Sequence, residues 1–284
     1  MGKCTFCGEP AGFLKSEHHE CREKDDARRA EQARLLSDLE RDAADVALKG
    51  EAAIAEAVPL LTQRASAPEL AGANTRGAIV RGWGTAITRL LEGEGVTSES
   101  EHALSRYASA FSLTEDEKKQ GDALDRLVKA LILHDVSSGT PKVRQHVDHS
   151  VPFLLKKGEF ILWLFGRVRY LQVKQFTEYE GRSAGVSVRV MKGVYYRTGA
   201  FHGRPVQHDA TVEVDTGLLG LTQQALYFAG PRKSLRLPYS KLVTVVPYSD
   251  GVGIQKDGVS AKPMSFTPLD GWFTYNLIKN LSAL

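Results

Sequence analysis

All three cysteines of this 284-residue chain, together with two adjacent histidines, fall within CTFCGEPAGFLKSEHHEC, from Cys4 to Cys21. A group so tightly spaced cannot staple a chain of this size with disulfides, so it must act on its own segment. Cys4 and Cys7 form a C-x2-C turn followed by Gly8. In such a turn two thiolates converge on one ion, backbone N–H groups share their charge, and the glycine relieves crowding. Further on, His18 and Cys21 stand three apart. Ser16 is positioned to cap a helix through the charged stretch Glu20 to Arg41, which would put both residues on one helical face. The resulting C-x2-C-x10-H-x2-C offers three sulfurs and one nitrogen, a tetrahedral set that suits structural Zn(II) and leaves no position for water. His19 is the alternative ligand, because only one of two adjacent imidazoles can reach the ion. Spacing favours His18.

Competing chemistries fit less well. A redox C-x-x-C belongs at a helix start in a thioredoxin-like βαβ pattern, which is absent, and haem attachment needs a histidine where Gly8 stands. Thiols packed in a core would not be surrounded by Lys15, Glu17, Glu20 and Glu23. A segment this short has no core of its own, so metal binding would supply most of its folding free energy, on the order of 10 kcal/mol. Gly12, Phe13 and Leu14 add a small apolar cluster beside it.

The rest of the chain has ordinary globular composition, 42% hydrophobic and 25% charged, enough for two modules and a small appendage. No apolar run approaches the roughly 20 residues that span a bilayer, and the N-terminus lacks the pattern of a signal peptide. A cytoplasmic protein is the expectation. Charge is unevenly shared: residues 1–150 carry 20 Lys+Arg against 25 Asp+Glu, whereas residues 151–284 carry 17 against 9. An anionic partner would therefore be drawn to the C-terminal half.

Four parts are expected: a zinc knuckle over 1–25, a helical bundle over 26–136, a linker over 137–151 and a β domain over 152–284. The fold class is α+β, multidomain. In the bundle, Leu36, Leu39, Ala43 and Val46 trace one face of a long first helix that Gly50 ends. Ile79, Trp83, Ile87 and Leu90 mark a second helix from about Thr75 to Leu91. Ser98 with Glu101, and Thr114 with Glu117, read as capping boxes opening two more. The stretch LLEGEGVTSESEHALSRYASAFSLTEDE, Leu90 to Glu117, resembles the tellurite-resistance TerB-like bundle, a likeness covering about residues 55–135. That resemblance implies a docking or assembly module, with acidic side chains at the turn that bind metal in some members. Here the turn reads Glu92-Gly93-Glu94-Gly95, and solvated carboxylates near helix starts are the simpler reading.

Ser137 to Pro141 breaks the helical period. Beyond it His146, Asp148 and His149 form a His-x-Asp-His group with no third partner nearby in sequence. After Pro152 short alternating and aromatic runs, punctuated by Gly and Asp, predict seven or more antiparallel strands. Separate strands are expected at Phe160–Phe165 and Val168–Phe176, and at Val212–Val214 and Leu218–Leu221. A helix opening at Asp270-Gly271, with Trp272, Phe273, Asn276, Leu277, Asn280 and Leu281 as its amphipathic set, would stopper a strongly bent sheet or barrel. The segments PFLLKKGEFILWLF and GLLGLTQQALYFAGPRKSLRLPYSKLVTVVPYSDGVGIQKD, with that helix, resemble bacterial pleckstrin-homology-like (PH-like) and GRAM-like domains. The whole arrangement is similar to bacterial proteins combining these three parts, a likeness that implies no particular activity.

Residues 182–207 look like an extra or elongated hairpin. Arg182, Arg189, Lys192, Arg197 and Arg204, interleaved with Tyr195 and Tyr196, form a candidate binding surface for anionic partners. No nucleophile elbow, P-loop, dinucleotide fingerprint or zincin motif is present, so no catalytic residue and no small-molecule substrate are expected. The sequence points to a non-enzymatic cytoplasmic adaptor with protein partners. Nucleic-acid binding and recruitment to anionic membrane are the alternatives.

Overall fold

The computed structural model describes residues 2–12, 15–93, 95–145, 151–183, 186–191, 194–198, 201–258 and 261–284; between 174 and 210 it describes backbone only. The chain divides into two units, Met1–Leu131 and Ile132–Leu284.

The first unit opens with a minimal hairpin, β1 (Gly2–Lys3) and β2 (Pro10–Gly12), and continues into α1 (His19–Ala47). The packed end of α1 presents Leu39, Ala43 and Val46, as the heptad-like spacing requires, together with Ala44 and Ala47. Gly50 is the N-cap of α2 (Glu51–Ala65), a helix the hydrophobic pattern does not isolate because Pro59 interrupts it. Next come α3 (Thr75–Glu92), α4 (Ser98–Ala110), the single turn α5 (Glu115–Lys118) and α6 (Ala123–Ser137), within which the division between the units falls. Buried aromatics in α3 and α4 are tied by their polar ends. The Trp83 indole N–H donates to the Leu104 carbonyl at 3.1 Å and the Tyr107 hydroxyl to the Ile79 carbonyl at 3.1 Å. Helices α1 and α3 cross closely because position 82 is glycine. A Cβ there would stand 2.5 Å from the Ala43 Cβ and 2.9 Å from the Glu40 carbonyl oxygen.

The capping box of α4 lies one residue earlier than Ser98 and Glu101 suggest. Thr97 accepts from the Ser100 N–H, and the Ser100 hydroxyl accepts from the Thr97 N–H at 2.9 Å. Either hydroxyl residue could serve; Thr97 wins because Ser100 is short enough to fold straight back onto its N–H. The second box is Thr114 with Glu117, as expected. Glu117 also receives two hydrogen bonds from Arg76, both at 2.7 Å, while Arg76 donates to the Phe111 and Ser112 carbonyls. The Arg76 guanidinium, then the Thr114 N–H, hold the Glu117 carboxyl at about 2. Its stabilising contribution is thus complete above the ordinary value of 4.5 and fades as pH falls from there toward 2. Glu117→Gln is expected to lower the urea midpoint at pH 7 and to converge with wild type near pH 2. Parallel curves across that window would remove this assignment.

The second unit is built on β3 (Ile161–Ser183), β6 (Phe201–Thr222), β7 (Ala225–Ala229), β8 (Ser234–Pro238), β9 (Leu242–Tyr248), β10 (Gly251–Lys256) and β11 (Met264–Thr267). They form one antiparallel sheet in the order β8-β7-β6-β3-β11-β10-β9. A separate two-stranded sheet pairs β4 (Val186–Met191) with β5 (Val194–Thr198). Strands β8 and β9 lie at opposite ends of the order, yet only the 3-10 turn Tyr239–Lys241 joins them. Seven flat strands would put those edges about 29 Å apart at about 4.8 Å per gap. The connection reaches about 14 Å at most, so the sheet must roll. It does not close: β8 and β9 are both edges, and the barrel alternative gives way to an open bent sheet.

Two expected strand breaks are absent. Phe165 pairs with Leu219 and Val168 with Gly217, so Gly166-Arg167 is a bulge inside one strand, with Arg167 at φ 56°. Likewise Asp215 lies within β6, where it accepts from the Arg232 and Lys233 N–H groups at 2.6 and 2.7 Å. Burial acts to raise its carboxyl, but the N–H groups of Arg232, Lys233 and Thr216 hold it below the usual carboxylate range. An aspartate read from sequence as a turn residue is therefore a cap for a turn elsewhere.

Helix α7 (Gly271–Leu281) is capped by Asp270, whose carboxylate accepts from the Phe273 N–H at 3.0 Å. Phe273, Leu277 and Leu281 are buried as expected, with Trp163 edge-on to Phe273 at 5.3 Å. Trp272 is 68% exposed and does not join that stripe. At the other end of the unit Arg144 grips the buried Asp135 carboxylate with two bonds of 2.7 and 3.0 Å, and the Gln145 side chain accepts from the Leu164 N–H. Part of the expected linker is thereby pinned. No helix among the described residues is long and apolar enough to cross a membrane.

Candidate metal centre

The β1–β2 hairpin exists to present Cys4 and Cys7. The Cys4 N–H donates to the Glu9 carbonyl at 2.7 Å and the Gly8 N–H to the Cys4 carbonyl at 2.8 Å, closing a turn that Gly8 completes at φ 76°. A second tie, from the Thr5 N–H to the Ser16 carbonyl at 3.0 Å, brings the returning chain alongside. Ser16 therefore serves through its backbone and does not cap α1. The N-cap is His18, in extended conformation at φ −89° and ψ 142°, and Cys21 lies in the first helical turn. The two residues do not share a helical face. They straddle the helix start, and that brings the ring and the thiol together.

The ligand atoms of Cys4, Cys7, His18 and Cys21 lie within 4.8 Å of one another, a cluster that could hold a metal ion. His18 Nδ1 is 3.4 Å from the Cys7 sulfur and 3.7 Å from the Cys21 sulfur. On the far side of the ring, Nε2 stands 3.0 Å from the Pro10 carbonyl oxygen. A proton on Nε2 satisfies that contact and leaves the Nδ1 lone pair facing the sulfurs. His19 points elsewhere, its Nδ1 3.3 Å from Glu23 on an exposed face. The Pro10 carbonyl is the partner that sequence reasoning missed, since nothing in residue type marks a backbone acceptor.

The thiols are electrostatically unequal. Cys4 is 2% exposed, and its sulfur accepts the His18 N–H at 3.4 Å. Burial acts against its thiolate, but N–H groups of Cys7, His18 and Phe6 outweigh that and bring the thiol down to about 6. Burial, followed by the Cys7 and Cys4 sulfurs, pushes Cys21 up to about 11. Three sulfurs so close resist sharing three negative charges unless a cation sits among them.

Other expected site residues lie partly or wholly outside the described set. For Arg182, Arg189, Tyr195, Tyr196, Arg197 and Arg204 only the backbone is described: Arg189 pairs with Tyr195, Val188 with Tyr196, Ser187 with Arg197, and Glu180 with Arg204. Lys192, Phe13, Leu14, Glu94 and the group His146, Asp148 and His149 lie outside the described residues. Comparison with protein-family models, with curated proteins and with solved structures finds no match.

Proposed function

We propose that Cys4, Cys7, His18 and Cys21 bind one structural Zn(II), and that the protein is a non-enzymatic cytoplasmic adaptor. The observation that carries the metal assignment is the opposed pair of contacts on the His18 ring, one nitrogen toward two sulfurs and the other on the Pro10 carbonyl. With Zn–S near 2.3 Å and Zn–N near 2.05 Å, a tetrahedron has ligand–ligand edges of about 3.5–3.8 Å. The nitrogen–sulfur separations of 3.4 and 3.7 Å fit that frame. Four protein donors complete the coordination, so the ion fastens the chain and leaves water no place to be activated. Unpaired thiols suit a reducing compartment.

The adaptor reading is supported by the order of the bent sheet and its closing helix, which agree with the PH-like and GRAM-like resemblance, and by the Thr114–Glu117 cap, which agrees with the TerB-like one. Such scaffolds bind through loops and open edges. The reading is tested by crosslinking the full chain in cells and measuring zinc in the same purified protein. One zinc per chain with a reproducible protein crosslink upholds it. Protein without zinc would remove the metal assignment, and crosslinks only to nucleic acid or anionic lipid would replace the adaptor reading with one of the alternatives carried by the basic segment 182–207.

A further inference from the structure

Among the described residues, the first half of α1 contributes no buried side chain to the core. No side chain from His19 to Arg34 is buried, and the first buried residue of the helix is Leu39. The earliest attachment to another element is Gln32, whose amide donates to the Ala71 carbonyl at 3.2 Å and the Glu69 carbonyl at 3.4 Å. Before it the helix is polar on every side. Its ion pairs run mostly along its own length, Asp25 with Arg28 and Arg29 at 2.6 Å each and Glu31 with Arg34 at 2.6 Å, joined by Arg22 with Glu17 at 3.0 Å just before the helix; every arginine among them is exposed, which keeps each pair weak. A helical end of about a dozen residues that gains nothing from packing is held only by propagation from its anchored end, which stabilises each added residue little, so it frays from the tip, at its first turn.

That first turn carries no side-chain cap: His18 occupies the N-cap and makes no capping hydrogen bond, its ring being turned to the cysteines. We infer that the metal ion takes the place of the cap. Bound to His18 at the N-cap and Cys21 in the first turn, it holds the tip of the helix against fraying, and ion occupancy decides how far residues 19–31 stay helical. Those 13 residues span about 20 Å at 1.5 Å per residue. With metal the knuckle stands at the end of a rod anchored at Gln32. Without it the knuckle trails on a flexible tether. This rests on the metal-site reading above and adds a consequence for residues 22–31, which the ion does not touch.

Hydrogen exchange of the full chain, zinc-loaded and after chelation, with zinc measured on the same samples, separates the two ideas. Chelation is expected to release one zinc per chain and to speed amide exchange over 22–31 about fivefold or more, the effect of losing a helix cap, with the largest change nearest Arg22. Residues 39–47 should stay protected. Zinc leaving while 22–31 exchanges unchanged overturns the inference and leaves the metal site standing; absence of zinc from the starting protein defeats the metal site itself. In chelator, His18→Asp, which supplies a carboxylate cap, is expected to restore part of the protection over 22–31. Exchange as fast as in chelated wild type would show that capping is not what the ion provides.

Discussion

Serine at Cys4 or Cys21 is expected to take zinc content from one ion per chain to none, and His18→Ala to do the same, whereas His19→Ala leaves it at one. The expectation follows from the placement of the two rings. His18 Nδ1 faces the sulfurs while His19 faces Glu23 on the exposed side. The binding free energy at stake is on the order of 10 kcal/mol, most of what can hold residues 2–18 in place. The hairpin is two residues on one strand and three on the other, and few side chains in this segment besides Cys4 and Ala11 are buried. Limited proteolysis gives an independent readout, with cleavage before Cys21 in the serine variants and resistance in wild type. Equal zinc content in the His18 and His19 variants would dismantle the assignment.

The second large effect is expected far from the metal. Glu159 is buried in the second unit, where its carboxylate accepts from the Thr222 hydroxyl at 2.6 Å, the Tyr227 hydroxyl at 2.8 Å, the Lys156 N–H at 3.0 Å and Arg236 at 3.4 Å. Arg236 also donates to the Tyr227 hydroxyl at 2.7 Å. Burial pushes the Glu159 carboxyl up, but those four donors prevail and hold it below the usual carboxylate range. Glu159→Ala removes the charge partner of Arg236 and the shared acceptor of two buried hydroxyl groups, a loss of about 3 kcal/mol. For a unit of this size that corresponds to a fall in Tm of roughly 6–12 °C. Glu159→Gln, which keeps the shape and part of the acceptor capacity, should lose less. Because the folded pKa is depressed, the contribution is present above the ordinary carboxylate range and lost in acid, so wild type and Glu159→Gln should draw together as pH falls. An alanine variant as stable as wild type would mean the network is slack.

Some of this was readable from residue order alone. The C-x2-C spacing, with a histidine and a third cysteine three apart, picks out the four residues that the fold brings within 4.8 Å, because tetrahedral chemistry permits few arrangements of those residue types. The 3.6-residue period placed Leu36, Leu39, Ala43, Val46, Ile79, Trp83, Ile87 and Leu90 inward; six of the eight are buried, and Leu36 and Leu90 are partly buried against the same core. Local rules failed where two residues compete for one job. Thr97 and Ser98 can both cap, and only the folded turn chooses. They failed also where a breaker residue is absorbed by long-range pairing, as at Gly166-Arg167 and Asp215, which look like turns until β3 and β6 are seen to continue past them. Strand β11 was not anticipated, since MSFT carries little periodicity in so short a run.

Residue order by itself marked the four clustered residues at the N-terminus, the buried faces of α1, α3 and α4, and the antiparallel sheet that follows, because donor chemistry and amphipathic period are properties of neighbours along the chain. Only the tertiary structure decided that His18 and not His19 faces the sulfurs, that the sheet rolls without closing, and that Glu159 and Asp215 are buried anchors. Each of those depends on an atom many positions away: the Pro10 carbonyl, the short link from β8 to β9, the hydroxyls of Thr222 and Tyr227, and the amides of Arg232 and Lys233. No local pattern encodes a distance between residues that only folding brings together.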